Sequence, residues 1–389
     1  MDKSKLRYYS RPHTLSPSSW NRYETCARQY WLSRQGLPRK TGMAAVLGTA
    51  VHESIEDLIG MNISDRDLSE KNWLPTEAEN YLRNRWEKEK KIFFKTPRRP
   101  NWKEENYENA RVQQKGAINI LLSKAGVPDL PHSNITVALW KRIQGLVLAC
   151  EGELKSRDGK LMGRLDLLLA KIDQNGKICG WVVADLKTGR PPDKELKSTV
   201  RRQLLLYRDL LLENNPKHPP VSTEGWYTSN ATVYSAEGES VLPQAYAAWE
   251  ATQPSMTPLP PTTSEDSCGG FCDYKAWCPH WWMWRKEEGT LYSSTFSDAV
   301  VLLERVEIEN GVALLELCEP ANIQGRVIPT GRKVGAVFEG LSLANIRRLV
   351  EEGWQGAVFI GSVKIDRDVW RVGEWCDVLP WQPIPDQFT

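Results

Sequence analysis

Hydrophobic positions follow helical spacing up to about residue 145 and strand spacing after it. Apolar residues that recur every three or four positions predict amphipathic helices. The first helix is predicted to begin at Pro17, because Ser16 can cap free amides and proline needs no donor in a first turn. This helix is predicted to include Cys26. A second helix is predicted around His52, and the polar stretch 60–145 is predicted as a helical insertion.

Strand patterns occupy the middle of the chain. Apolar runs at 146–154, 161–170 and 178–185 are separated by turns that contain Asp-Gly or Asn-Gly pairs, which predicts hairpin connections. A long helix is then predicted from Asp193 to Asn214, followed by a further strand pattern at 221–235.

The last hundred residues form a separate unit. A Pro/Thr/Ser-rich linker at 252–265 and a group of three cysteines precede it. Several strand patterns with one late helix at 342–352 are typical of a small barrel of the oligonucleotide-binding (OB) type. A chain of 389 residues exceeds what one core commonly holds. We therefore expect two domains, at 1–285 and 290–389, the second able to bind nucleic acid or a partner.

Composition is that of a globular protein, with 41% hydrophobic and 26% charged residues. The net charge is only +2, so a nucleic acid would have to be held by local basic clusters. No apolar run approaches the roughly 18 residues of a membrane span, and the N-terminus has no apolar signal core. We therefore expect a cytoplasmic protein with no membrane partner. In that reducing compartment, clustered cysteines suggest a metal or redox site before disulfides.

Carboxylates stand at unexpected places in the strand patterns. Asp185 and Lys187 end a buried strand two positions apart and so point to one face. Taken alone, they are most simply an edge ion pair. Asp166 is a lone charge in a run of leucines, and a buried carboxylate costs several kcal/mol unless it is paired or binds a cation. Together with Glu151 or Glu153 on the preceding strand, these residues predict a site for Mg²⁺ or Mn²⁺.

Three other residues could complete that site. His52 could be a metal ligand, a phosphate contact or an ordinary half-buried histidine. Gln203 and Tyr207 lie four apart, hence on one face of their predicted helix. They could position Lys187, a water molecule or the scissile strand. Lys187 could orient the attacking water and stabilise charge that develops on a phosphate.

The order of these motifs resembles that of a known nuclease family. The segments Gly48 to His52, Gly163 to Asp166 and Asp185 to Gly189, followed by Gln203-x-x-x-Tyr207, resemble the RecB-like branch of the PD-(D/E)xK nuclease superfamily. The resemblance implies an α/β fold, with a restriction-endonuclease-like mixed sheet flanked by helices after an N-terminal helical region.

The same resemblance implies roles for the site residues. His52, Asp166 and Asp185 would bind the metal, and Lys187 would be the catalytic lysine beside the two aspartates. Gln203 and Tyr207 would be an accessory catalytic pair.

The cysteines extend the resemblance. Leu15 to Ser18 with Cys26, and the three later cysteines, look like the iron–sulfur members of that branch, which include CRISPR-associated RecB-like exonucleases and AddB-type nuclease domains. This implies a [4Fe–4S] cluster on four ligands, namely Cys26, Cys268, Cys272 and Cys278. The family commonly has two residues between the first two C-terminal cysteines, whereas three separate Cys268 from Cys272. Zinc on the same thiols is the alternative.

The function implied is a Mg²⁺- or Mn²⁺-dependent deoxyribonuclease for single-stranded DNA or DNA ends, in repair, recombination or CRISPR-type antiviral defence. The alternative is a DNA-binding or assembly subunit of a helicase–nuclease or CRISPR complex that depends on its partners. Any ATP-driven step would come from a partner, since the sequence has no phosphate-binding Gly-x-x-x-x-Gly-Lys-Ser/Thr loop.

Two groups of residues could contact DNA. Trp281, Trp282 and Trp284 with Arg285 could stack bases or could pack around the cluster. The basic stretch 95–103 could meet nucleic acid or simply be solvated.

Overall fold

A computed structural model describes residues 13–127, 130–269, 272–366 and 369–386. The first twelve residues of the predicted domain 1–285 lie outside the described ranges. The helices are α1 Pro17–Thr25, α2 Ala27–Leu32, α3 Met43–Gly60, α4 Trp73–Lys95, α5 Asn106–Lys124, α6 Val137–Leu146, α7 Ser198–Asn214, α8 Leu242–Ala251, α9 Glu265–Cys268, α10 Pro279–Glu287 and α11 Gly340–Glu351. The strands are β1 Val147–Lys155, β2 Met162–Ile172, β3 Ile178–Lys187, β4 Val221–Tyr227, β5 Thr232–Ser235, β6 Phe296–Glu307, β7 Val312–Pro320, β8 Val327–Phe338, β9 Val358–Lys364, β10 Val369–Val372 and β11 Asp377–Pro380.

The first sheet has the order β1-β2-β3-β4-β5. Its neighbouring strands are antiparallel except β3 and β4, which are parallel. Two parallel neighbours need a crossover connection, and α7 supplies it. The predicted mixed sheet flanked by helices is therefore confirmed.

Alternating side chains bury both faces of this sheet. Leu167, Val182 and Leu186 pack in one core with helices α3 to α6. Leu168 and Val183 face the opposite core, which contains apolar residues of α1, α7 and α8. Burying an aliphatic side chain contributes about 1.5–3 kcal/mol, so the two cores hold the three central strands rigidly between helices.

Three predicted elements differ in detail. Helix α1 ends before Cys26, which is extended (φ −163°) and separates α1 from α2, so its predicted helical placement is wrong. The insertion 60–145 is three helices with irregular connections. The helix predicted from Asp193 begins only at Ser198. Leu196, in the non-helical segment before it, packs over Gly225, where an added Cβ would lie 3.1 Å from the leucine.

The β-rich C-terminal region is also confirmed. Strands β6, β7 and β8 are consecutive antiparallel neighbours, and β8 pairs with β10 in parallel. Strand β9 pairs with both β6 and β10, so five strands close on themselves, with α11 between β8 and β9. This is a Greek-key barrel of the OB kind. Strand β11 extends its edge beside β9 and was not predicted.

The barrel packs on the first region through a shared apolar core. Trp31, Trp277 and Trp282 lie in it with Val300 and Phe359 of the barrel. At its edge, Arg98 donates to Asp377 at 2.9 Å, and Lys40 lies 3.0 Å from the same carboxylate. Arg98 is buried, so it joins the two regions and is not a nucleic-acid contact within the stretch 95–103. Among the described residues, no helix is long and apolar enough to cross a membrane.

Candidate active site

Strand register sets three carboxylates in a row. Leu167 pairs with Cys150 on one side and with Ala184 on the other. Glu151, Asp166 and Asp185 are therefore neighbours across β1, β2 and β3. Glu153, the alternative weighed from sequence, points away from this row: its side chain is 56% exposed and pairs with Lys155.

Helix α3 brings His52 to the carboxylates. Its Nδ1 lies 3.4 Å from Asp166 Oδ2. Donor atoms of His52, Glu151 and Asp166 all lie within 4.8 Å of one another. The backbone amide of Leu186 donates to Asp166 Oδ2 at 2.6 Å, which orients that carboxylate. Imidazole and carboxylate together could hold a divalent cation.

Asp185 faces a different set of partners. Its Oδ2 lies 2.5 Å from Lys187 Nζ, and its Oδ1 accepts from Gln203 Nε2 at 2.8 Å. Lys187 Nζ also donates to Gln203 Oε1 at 3.1 Å, and Gln203 Nε2 lies 2.8 Å from the Tyr207 hydroxyl. The aspartate–lysine ion pair considered from sequence is therefore present, and α7 holds it with an amide and a phenol.

Two glycines allow the close approach of these elements. A Cβ on Gly163 would lie 2.6 Å from the Tyr207 ring, so α7 can lie against β2 only with glycine there. A Cβ on Gly48 would lie 3.2 Å from Thr188 Oγ1, which keeps α3 next to the turn after β3. Both glycines belong to the motifs on which the family resemblance rests.

Burial and mutual charge perturb the titration of the site. Burial, reinforced by the Asp166 carboxylate, raises the pKa of Asp185 to about 6. Burial and Asp166 also raise the pKa of Glu151. Burial alone would lower the pKa of His52, but the nearby Asp166 carboxylate raises it above its ordinary value. Burial likewise opposes the charge of Lys187, but the Asp185 carboxylate raises the lysine pKa. Burial and crowding raise the pKa values of the Asp185 and Glu151 carboxylates, so they tend to bind protons. A divalent cation can neutralise the same carboxylates instead of the protons.

His52, Glu151, Asp166 and Lys187 line an open cleft of about 560 Å³, and Asp185 is buried beside Lys187. Two of the cleft's lining residues, Glu56 and Arg164, were missed from sequence as site residues. Glu56 lies four positions after His52 on α3, a spacing that puts it on the same helix face. Arg164 stands inside the Gly163 to Asp166 motif, and its Nε lies 2.5 Å from Glu151 Oε2.

A second polar cluster forms around the predicted cysteines. Cys26, Cys268 and Cys278 are buried, and all four predicted ligands are free thiols. The amide of Thr262 donates to Cys26 Sγ at 3.4 Å, and the Thr262 carbonyl lies 3.9 Å from Cys268 Sγ. Burial raises the pKa of Cys272, Cys278 and Cys268, the last to about 11, and in each case neighbouring cysteines add to the effect. Four cysteines from distant parts of the sequence thus lie close together.

Trp281 and Trp282, beside this cluster, pack in the core and cannot stack bases, whereas Trp284 is half-buried. Trp281 and Trp282 are buried in the core that contains Cys268 and Cys278. Arg285 is also buried, with its guanidinium on Ser297 Oγ at 3.1 Å. The base-stacking interpretation of Trp281, Trp282 and Arg285 is wrong, because the barrel covers them.

Comparisons with known proteins agree with the motif order. A family model described as the PD-(D/E)XK nuclease superfamily matches residues 14–279. Sequence comparison with curated proteins gives no match. The crystal structure of SSO0001 aligns over 54% of this chain and 85% of its own, with 12% identity and a TM-score of 0.24. A likeness of that degree supports no conclusion about function.

Proposed function

The chain belongs to the PD-(D/E)XK nuclease superfamily, and on that basis we propose that it is a metal-dependent nuclease that hydrolyses DNA. The observation that carries the proposal is that His52, Asp166 and Lys187 line one cleft and that Lys187 also pairs with the buried Asp185. These residues come from α3 and two neighbouring strands.

The donor set fits a divalent cation. His52 and Asp166 already lie 3.4 Å apart, and Asp185 is the next carboxylate in the row. We propose these three residues as ligands of Mg²⁺ or Mn²⁺, ions that favour carboxylate oxygens. A bound divalent cation would polarise the phosphate and lower the pKa of a bound water.

The other residues of the site would act on protons and charge. Lys187 lines the cleft, and its ammonium group would orient the attacking water and stabilise charge on the phosphate oxygens. Gln203 accepts from Lys187 and donates to Asp185, so it would fix the position of both. Tyr207 would keep the Gln203 amide in place through its hydroxyl.

Cleavage assays test this function. The purified chain is incubated with labelled single-stranded DNA, double-stranded DNA and RNA, with Mn²⁺, Mg²⁺ or EDTA. We expect metal-dependent cleavage of DNA that is lost in Asp185→Asn and kept in Asp193→Asn, a change at an exposed position. Equal cleavage by wild type and Asp185→Asn would contradict the catalytic assignment. Cleavage of RNA alone would contradict the substrate.

We further propose that Cys26, Cys268, Cys272 and Cys278 bind a [4Fe–4S] cluster, as in the iron–sulfur members of the RecB-like branch. Four clustered cysteines, with a backbone N–H donated to Cys26, suit an iron–sulfur centre. The cluster would be structural, since it would join ligands more than 240 residues apart in sequence and would close that long loop.

Metal analysis of anaerobically purified protein tests the cluster. We expect brown protein with about four irons and four sulfides per chain, reduced to background in Cys278→Ser. Cys179→Ser is the matched control, because this thiol is exposed and lies outside the proposed ligand set. Colourless protein with one equivalent of zinc would contradict the proposal.

The wider role follows from the RecB-like resemblance alone. We propose single-stranded DNA or DNA ends as substrate, in repair, recombination or antiviral defence. If the purified chain cleaves no DNA yet binds it, a helicase or another defence protein as activating partner becomes the better hypothesis.

A further inference from the structure

Glu151 has an unusual backbone for its place in a strand. Its φ is +52°, in the left-handed region that residues other than glycine rarely adopt. Such a conformation costs on the order of 1–3 kcal/mol and persists where the surroundings impose it, often at functional sites. The Glu151 side chain lines the cleft, and the strand register sets it opposite Asp166.

The side chain of Glu151 meets two different kinds of group there. Its carboxylate lies with His52 and Asp166, all donor atoms within 4.8 Å of one another. On the other side it forms an ion pair with Arg164 Nε at 2.5 Å. The Arg164 side chain is 64% exposed, whereas that of Glu151 is 17% exposed. The carboxylate is thus largely enclosed, and the guanidinium side chain is largely exposed to solvent.

We propose that Glu151 is a further ligand of the divalent cation held by His52 and Asp166, and that Arg164 is the counter-ion that this cation replaces. The inference rests on the proposed metal-dependent function. Two carboxylates and one imidazole form a mixed set of the kind that Mn²⁺ accepts. Once displaced, the Arg164 guanidinium remains in the cleft, where it can bind a phosphate of the DNA through paired hydrogen bonds.

The strain supports a binding role over a purely structural one. If Glu151 had only a structural role, nothing would offset the free-energy cost of its left-handed backbone. Glycine adopts this φ without steric penalty. Glu151→Gly should therefore be no less stable than Glu151→Gln when no metal is added, while both lose the ligand.

Calorimetric titration of the full chain with Mn²⁺ tests the proposal. Glu151→Gln should weaken Mn²⁺ binding by about 10–100-fold. Glu153→Gln, two residues along the same strand and with an exposed side chain, should bind Mn²⁺ like wild type. Thermal unfolding without metal checks that the variants fold.

Arg164→Ala should have the opposite effect on the affinity for Mn²⁺. Removing the competing cation should tighten Mn²⁺ binding by about threefold, the range of a solvent-exposed ion pair, and should raise the KM for DNA. Wild-type Mn²⁺ affinity in a folded Glu151→Gln variant would overturn the role of Glu151 and leave the nuclease proposal standing. Failure of wild type to bind Mn²⁺ or Mg²⁺ at all would overturn both.

Discussion

The carboxylate cleft and the cysteine cluster differ in how far apart in sequence their residues lie. Glu151, Asp166, Asp185 and Gln203 come from consecutive elements, β1, β2, β3 and α7, whereas His52 and Glu56 come from α3, further away in sequence. The cysteines, in contrast, unite Cys26 with residues 268–278. One site is set by the register of neighbouring strands, and the other by long-range packing.

The two sites also differ in their surroundings. The cleft is open and lined by charged side chains, with two carboxyl groups whose pKa values are raised. Cys268 and Cys278 lie in an apolar core shared with the barrel, and Cys272 packs against that core. We therefore expect that the cleft can lose a functional group without loss of fold, and that changes in the buried region around the cysteines lower stability. Variants at the two sites test this difference between loss of activity and loss of stability.

The largest effect is expected from Lys187→Met. Loss of the ammonium group removes the stabilisation of charge on the phosphate, and such losses slow catalysis by about 10²–10³-fold. Single-turnover cleavage of labelled DNA with Mn²⁺ measures it. Lys194→Met, at an exposed position, is the control. A Lys187→Met rate within threefold of wild type would show that the chemistry lies elsewhere.

The next prediction concerns the stability of the fold near the cysteine cluster. The expected change in the free energy of unfolding is at most similar in size to the catalytic loss in Lys187→Met. Arg28, two residues after Cys26, has a side chain only 1% exposed that contacts Asp386 and the Ile384 carbonyl. Arg28→Met should lower the free energy of unfolding by about 1–3 kcal/mol, because it leaves the buried Ile384 carbonyl without its donor. Denaturant unfolding measures this, with Arg347→Met on the exposed side of α11 as control. The folded fraction should still cleave DNA at the wild-type rate, and a selective loss of activity would contradict the difference between the two sites.

A smaller effect is expected where α7 meets β2. In Gly163→Ala the new methyl group overlaps the Tyr207 ring, so α7 must shift and Gln203 with it. We expect a loss of about 1–3 kcal/mol in stability and roughly tenfold slower cleavage. Gly145→Ala, where an added Cβ meets nothing within 4 Å, should leave both unchanged. Equal behaviour of the two variants would mean that the Tyr207 contact is unimportant.

The smallest effect concerns pH at the contact between barrel and first region. Burial alone would raise the pKa of Asp377, but Arg98 and Lys40 hold it below its ordinary value. A depressed carboxyl pKa stabilises the fold above the unfolded-state value of about 3.9, and this contribution is lost as pH falls through the folded-state pKa. The stability difference between wild type and Asp377→Asn should be constant from about pH 7 to pH 5 and shrink towards pH 3. Urea unfolding at each pH measures it, and a difference that grows on acidification would contradict the sign.

The same contrast explains what could be predicted from sequence. Asp166, Asp185 and Lys187 could be placed together because strands alternate and short turns fix their pairing. The barrel followed from element order, and the mixed sheet followed from the family resemblance. The buried state of Trp281 and Trp282 could not be predicted, since the barrel that covers them comes later in the chain. The break at Cys26 was missed because helical spacing continues on both sides of it, and the bend depends on contacts with residue 262.

The choice between Glu151 and Glu153 depended on the pairing register. Simple alternation puts both side chains on one face of β1. The register sets Glu151 opposite Asp166 and Glu153 opposite Arg164, and a Glu-Gly-Glu sequence does not reveal that register.

The central claim is that this cleft binds the catalytic metal, and the position of Mn²⁺ in a crystal of the full chain tests it most directly. Anomalous scattering at the manganese edge locates the ion without reference to activity. The account predicts a peak in contact with His52, Asp166 and Asp185, with Glu151 as a further ligand and Lys187 outside the coordination shell. A manganese site elsewhere, with this cleft lacking anomalous density at saturating Mn²⁺, would contradict it.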